Sequence, residues 1–467
     1  MKRILSFVLA VSVCGSLSLG LVGCDTKKTE SDSGVNEKMV SGGEEVNQLL
    51  AKDMPKLELA NKEIVWLCWD KSWNYDAGTT EGDLFNKAYG ATVKTETCSY
   101  DDRYSTLASR VSSGNSPDLF PYEGDNYPSG VISNMYAPID DYLDLNQDCW
   151  SNTKEMMEKF VVSGKHYVVI PHSYTGDFLV YNRDVMEENG FEDPWALYKA
   201  GKWDWNKMKE MLVAFCDPDN DKYGIGGWWP EYSMVATTGT PFVGLEDGKL
   251  VNNLKSSNVS RAMNFLYEIN QQGLNYPWEK FDWSKKNINY VAEGKTLFYA
   301  TGEYDLKGTF CSADKAAYCE NVFVCPFPKD PEADKYYQHY GVDAHMMVVG
   351  AKNPEGVAAW QYVRLYSSST AEAEALSRQK AKENYGYSEE LIDALEGLKD
   401  PTAFEPVYDF RRGVSAELTG TSDEAGIIVE IERCTFKMGK TWTETLETNY
   451  SAVDAAVTQA NNSLATK

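Results

Sequence analysis

Aromatic rings and carboxylates occur together in this sequence, repeatedly and in short loops. "WDKSWNYDAG" supplies Trp69, Trp73, Tyr75 and Asp76, "YEGDN" supplies Glu123, Asp125 and Asn126, and "SYTGD" supplies Tyr174 and Asp177. "GWWPEY" adds Trp228, Trp229, Glu231 and Tyr232, "TGEYD" adds Glu303 and Tyr304, and "YGVDAH" adds Asp343. A ring offers a flat apolar face, and a carboxylate offers strong hydrogen-bond acceptors. Any one of these tryptophans, taken alone, reads first as core packing. The recurrence of the pairing across several loops is what marks them.

Other chemistries are thinly represented. "DPDNDKYG" resembles the start of a calcium loop, with carboxylates at Asp217, Asp219 and Asp221 and a carbonyl at Tyr223. Lys222 stands where the loop needs glycine, however, and Trp228 where it needs a bidentate glutamate, so a solvated acidic turn is the plainer reading. His339 and His345 straddle "YGVDA" and are expected to be structural. Cys311, Cys319 and Cys325 lack zinc spacing. There is no G-x-S-x-G, no H-E-x-x-H, no P-loop and no glycine fingerprint. The expectation is a protein with no cofactor, calcium being the one candidate.

The N-terminus speaks to location. Lys2 and Arg3 precede an apolar run, Ile4 to Val22, which is interrupted by Ser and Gly and reads as a signal peptide over residues 1–23. Leu21-Val22-Gly23-Cys24 looks like the lipobox of bacterial lipoproteins, which implies lipid addition at Cys24. Residues 24–60 are polar and carry no aromatic side chain, so a flexible tether reaching roughly 30 Å is expected. A net charge of −25 argues against nucleic acid and against direct adhesion to an anionic bilayer. Eight further cysteines follow Cys14 and Cys24 without a disulfide framework, and buried thiols are as plausible as bridges.

The elements that must carry the loops alternate. Ile64 to Trp69 reads as a buried strand, "EGDLFNKAYG" as a helix stopped at Gly90, "ATVKTETCSY" as a strand, "DDRYSTLASRVSSG" as a helix and "SPDLFPYE" as a strand. Strand–helix alternation means parallel crossover units and an α/β layout. "GKHYVVIPHS" and "DFLVYN" read as two more strands. "RDVMEENG", "DWNKMKEMLVAF" capped by Asp204, "EGVAAWQYVRLYSS" after Asn353-Pro354, and a C-terminal stripe of Val453, Val457, Ala460 and Leu464 read as helices.

"SSGNSPDLF", "MYAPIDDYLD", "GKHYVVIP", "FLVYNRDVMEENGFEDP", "GKWDWNKMKEML" and "VFVCPFPKD" occur in that order. Together they resemble the extracellular solute-binding proteins, family one, which feed sugars to ABC importers. Pro117-Asp118, Tyr181-Asn182 with Asp184, and Gly201, Trp203 and Trp205 carry the likeness as scaffold, and the final third matches loosely. The resemblance implies a two-lobe periplasmic-binding-protein-like α/β fold of type II, hinged around a ligand cleft. Lobe 1 would be 61–172 plus 337–385 and lobe 2 would be 173–336 plus 386–467. Crossings are expected near Pro171 to Tyr174, Lys335 to Gln338, and within Ala381 to Leu391. It also implies a monomer whose partners are a carbohydrate and the transmembrane subunits of an ABC permease, held to the membrane only through the Cys24 lipid.

A pyranose packs its C–H face on Trp or Tyr and turns its hydroxyl rim to charged partners, which makes the aromatic–acid loops the candidate ligand contacts. Arg411 and Arg412 are placed no more readily in the cleft than on the surface. Two rivals, a surface-anchored glycosidase and an adhesin, fare worse. A glycosidase needs two carboxylates at a set distance, and among 70 Asp and Glu no pair is marked. An adhesin is not suggested by a two-lobe α/β pattern.

Overall fold

The computed structural model describes residues 43–70, 73–76, 78–172, 177–281, 289–307, 321–420 and 426–467. The signal peptide, Cys24, Tyr174, Cys311 and Cys319 lie outside these residues. The strands are β1 (Glu63–Cys68), β2 (Thr92–Thr97), β3 (Leu119–Pro121), β4 (Phe178–Asn182), β5 (Tyr223–Gly227) and β6 (Val243–Glu246). They continue with β7 (Lys249–Asn252), β8 (Thr296–Thr301), β9 (Val322–Cys325), β10 (Tyr337–His339), β11 (His345–Met347) and β12 (Glu405–Val407).

Two four-stranded sheets define two lobes. In the first the order is β11-β3-β1-β2, with β1 parallel to β2 and β3, and β11 antiparallel to β3. Ile64, Trp66, Leu67 and Cys68 are buried, as an uninterrupted apolar run between helical layers requires. Helix Thr80–Tyr89 is capped by the Thr79 side chain and stopped at Gly90 in the left-handed conformation. In the second sheet the order is β5-β8-β4-β9, with β5 parallel to β8 and β4 antiparallel to both its neighbours. Every residue of β4, β8 and β9 is buried.

The motifs that carry the family likeness are structural. Asp118 is buried and accepts the backbone N–H groups of Val65, Lys352 and Asn353, tying β1 to the start of helix Pro354–Ser369. Asn182 caps the helix that follows β4, and the Tyr181 hydroxyl donates to Asp193. Trp203 Nε1 donates to the Pro326 carbonyl, while Trp205 stacks on Phe265. In the C-terminal helix Trp442–Leu464, the stripe of Val453, Val457, Ala460 and Leu464 is buried.

Two expectations need correction. The tether does not extend to residue 60. Gly43–Asp53 is a helix against helix Thr80–Tyr89, and Leu50, Met54 and Leu59 are in the core. Its apolar residues are few but fall at helical spacing, so a composition average missed them. "GKHYVVIPHS" is not a strand: Tyr167 to Ile170 is buried but belongs to no ladder. Its apolar alternation reports burial, and pairing is a separate matter.

The chain leaves lobe 1 at residues 171–172, is described again from Asp177 in lobe 2, and crosses back in the stretch that joins β10 to β11. It passes again between helix Ala371–Tyr385, which packs on helices Gly43–Asp53 and Pro354–Ser369, and helix Glu389–Leu398, which packs on β9. β12 then lies parallel to β10.

Candidate functional site

The C-terminal ends of β1, β2 and β3 place the first wall of the site. Trp69 follows β1, and its ring meets Trp73 at 5.1 Å and Tyr100 at 5.8 Å between centroids. Arg103 opens helix Arg103–Ser112 and lies over Tyr100 at 3.8 Å and Tyr104 at 4.3 Å. Its Nη2 is 2.7 Å from Asp125, which also accepts the Tyr104 hydroxyl. Sequence reasoning found Asp125 but missed Tyr100, Arg103 and Tyr104. The signal was present in "SYDDRYST", where a cation sits between two tyrosines after a strand. Trp73 and Tyr100 remain 37% and 53% exposed.

Glu123 is half-buried and, among the described residues, its carboxyl has neither a hydrogen bond nor an ion pair. Desolvation, with the Asp125 charge added, pushes its pKa up to about 8. Asn126 donates to the Tyr136 hydroxyl. Farther along the wall, Arg364 donates to the Tyr75 hydroxyl at 3.0 Å and pairs with Asp343 at 2.7 Å. The Asp343 side chain is 47% exposed, yet desolvation is the largest influence on it. Arg364, with His345 and His172, outweighs that influence and holds the carboxyl below its usual range. A group hemmed in by protein and still open to solvent is what a cleft lining presents. His345 is buried against Trp66 and takes a hydrogen bond from Trp360. Asp76 accepts the backbone N–H of Thr95 on β2, which ties the loop after β1 to that strand.

The second wall grows from β5 and β8. Gly227 ends β5 at φ +119°, and a Cβ there would lie 2.2 Å from the Ala300 carbonyl oxygen, so only glycine lets the chain turn. The turn delivers Trp228 and Trp229. Trp228 donates through Nε1 to Asp305 at 2.8 Å and packs edge-on against Phe281, a braced position. Trp229 lies 6.0 Å from Tyr304 and 6.4 Å from Tyr232. Tyr304 is 47% exposed. Glu231, expected in the cleft, is buried 2.9 Å from the equally buried Lys437, which corrects it to a structural ion pair. Glu303 pairs with Lys399 at 2.9 Å and Lys307 at 3.2 Å; burial raises its pKa, but the two ammonium groups outweigh this and hold it low.

The crossing segments supply polar groups between these walls. Asp177 accepts from Ser233 and from His339, whose ring packs 4.8 Å from Tyr232. His172, in the first crossing, is kept neutral by burial, its pKa lowered to about 4. Arg411 lies 4.1 Å over Tyr232, and both Arg411 and Arg412 bind Glu432. Neither arginine is a surface residue of the ordinary kind. Gly413 passes so close to the Tyr127 backbone that an added Cβ would sit 1.7 Å from its carbonyl oxygen.

The acidic turn at Asp217 is closed by reciprocal Asp217 and Lys222 backbone bonds. There Asn220 bonds to Asp217, and Lys280 bonds to Asp221 and Tyr223. Asp219 is exposed. Among the described residues no group of three or more His, Cys, Asp or Glu is arranged to hold a metal ion, and Cys68, Cys98, Cys149, Cys216, Cys325 and Cys434 are free thiols. No described helix is long and apolar enough to cross a membrane.

The comparisons with known proteins converge on one family. The family model for bacterial extracellular solute-binding proteins matches residues 82–381, and the chain belongs to that family. A maltotriose-binding protein of Pyrococcus abyssi (strain GE5 / Orsay) is 24% identical over 136 residues, which is 28% of this chain. The match spans only about a quarter, 25%, of that relative's length. Among solved structures, an ABC substrate-binding protein of Listeria monocytogenes in complex with cycloalternan superposes with a TM-score of 0.60 at 15% identity, covering 85% of this chain and 98% of that one. A cyclo/maltodextrin-binding protein complexed with maltotetraose gives a TM-score of 0.60 at 17% identity, covering 86% and 99%. These likenesses establish the two-lobe fold.

Proposed function

We propose that this protein is the substrate-binding component of an ABC importer. In this reading it is anchored outside the cell through lipid on Cys24, binds an oligosaccharide between its lobes and delivers it to the membrane permease. The observation that carries the reading is that partly exposed aromatic rings stand at the strand ends of both lobes, Trp69, Trp73 and Tyr100 on one and Trp229, Tyr232 and Tyr304 on the other. Stacking faces from two sides suit a chain of pyranose rings better than a single one. Family membership and the sugar complexes of structurally similar proteins support it further.

The test is a thermal-shift and tryptophan-fluorescence screen of the mature protein over mono- and oligosaccharides, followed by recovery of the ligand. Saturable stabilisation by an oligosaccharide that is recovered uncut supports the reading. Turnover of the sugar would make the protein a glycosidase instead. Metabolic labelling with an alkyne fatty acid, lost in C24A, tests the anchor separately.

A further inference from the structure

We infer that the ligand carries a protonated amine, as an amino sugar does, and that Glu123 is the group that receives it. The inference rests on the carbohydrate reading above and narrows it.

It starts from the matching of charges around one carboxyl. Every other formal charge around Glu123 has a partner. Arg103 holds Asp125 at 2.7 Å, Arg412 holds Glu432 through two bonds, and Arg411 lies between Glu432 and Asp409. Of this group Glu123 alone has no hydrogen bond or ion pair to its carboxyl. It stands at the C-terminal end of β3, the strand end that faces the interlobe space in this layout, and four tyrosines lie within electrostatic range: Tyr100, Tyr104, Tyr122 and Tyr136. Arg412 is close enough to feel the Asp125 charge, so the segment after β12 also borders the place.

A carboxyl in such a place has two ways to be satisfied. It can hold a proton, as desolvation favours in the empty protein, or it can meet a cation. The missing partner favours the second, since a carboxylate with no cation of its own makes a charge-assisted contact with an ammonium. The nearby arginines do not oppose it, because each is already neutralised by a carboxylate. When the ammonium arrives, Glu123 gives up its proton to solvent and the ion pair forms; nothing else changes hands.

The experiment is isothermal titration calorimetry at pH 7 with neutral sugars and their 2-amino counterparts: glucose and glucosamine, galactose and galactosamine, mannose and mannosamine, and chitotriose before and after de-N-acetylation. At least one amine should bind at least about tenfold tighter than its neutral twin, in line with a charge-assisted contact. Its binding should release a proton, read from the heats in two buffers of different ionisation enthalpy. In E123Q the ratio between the twins should collapse toward one. If every sugar that binds does so as well without the amine, or if the preference survives in E123Q, the inference is wrong while the carbohydrate reading stands. If nothing in the panel or in the oligosaccharide screen binds, the carbohydrate reading itself falls and takes this one with it.

Discussion

The two walls of the site are built from the same residue types and use them differently. On the second wall the acids are bound to the scaffold: Glu231 to Lys437, Glu303 to two lysines, and Asp305 to Trp228 and Thr301. What that wall leaves open is rings. On the first wall Asp125 and Asp343 are held by arginines, but Glu123 is left unpaired near the exposed Tyr100. An aromatic beside an acid therefore does not have one meaning. The acid can hold the aromatic in place, or both can face the ligand, and partners decide which.

Six single substitutions and one double variant probe that contrast. The largest effect is expected where the segment after β12 presses on Tyr127 of lobe 1. G413A, which would put a Cβ 1.7 Å from the Tyr127 carbonyl oxygen, should cost about 4 kcal/mol or leave no soluble protein, by urea unfolding. Next is the buried pair of the second wall. K437M strands the Glu231 carboxylate and should cost roughly 3–5 kcal/mol, with most of it recovered in the double variant K437M/E231L. A K437M protein as stable as the parent would mean that Glu231 is not scaffold.

The third measurement concerns the open rings. W229A and Y304A should each weaken binding of an oligosaccharide by about 1 kcal/mol with little loss of thermal stability. W203F, which loses a buried hydrogen bond to Pro326, should do the reverse. The smallest effect belongs to Glu123 in the empty protein. Its pKa is raised on folding, so the folded state holds the proton more tightly than the unfolded chain, and stability declines as pH rises from about 4.5 to about 8. E123Q should remove that decline. It should match the parent in unfolding free energy at pH 4 and exceed it at pH 9, by about 0.5–1 kcal/mol for a partly exposed carboxyl screened by solvent. A difference of the opposite sign would show that Glu123 is paired after all.

Much of the framework was legible in the sequence. β1, β2 and β3 and their helices followed from apolar runs, alternation and the stop at Gly90, because local pattern and tertiary burial agree there. The site was legible only in part. Loops after strands could be named, since topology fixes where strand ends go. Which side chain in a loop meets a ligand depends on partners distant in sequence, such as Lys437 for Glu231 or Arg364 for Asp343, and no spacing announces these. Arg103 was missed for the same reason: its importance lies in stacking on Tyr100 and pairing with Asp125, which the fold alone brings together.

The claim that both walls grip one sugar chain is tested most directly by calorimetric titration of an oligosaccharide into the parent, W69A, W229A and the double variant. The account predicts one site per chain, weakened by each single change and weakened most when both rings are gone. Undiminished affinity in the double variant, or no saturable heat with any oligosaccharide, would contradict it.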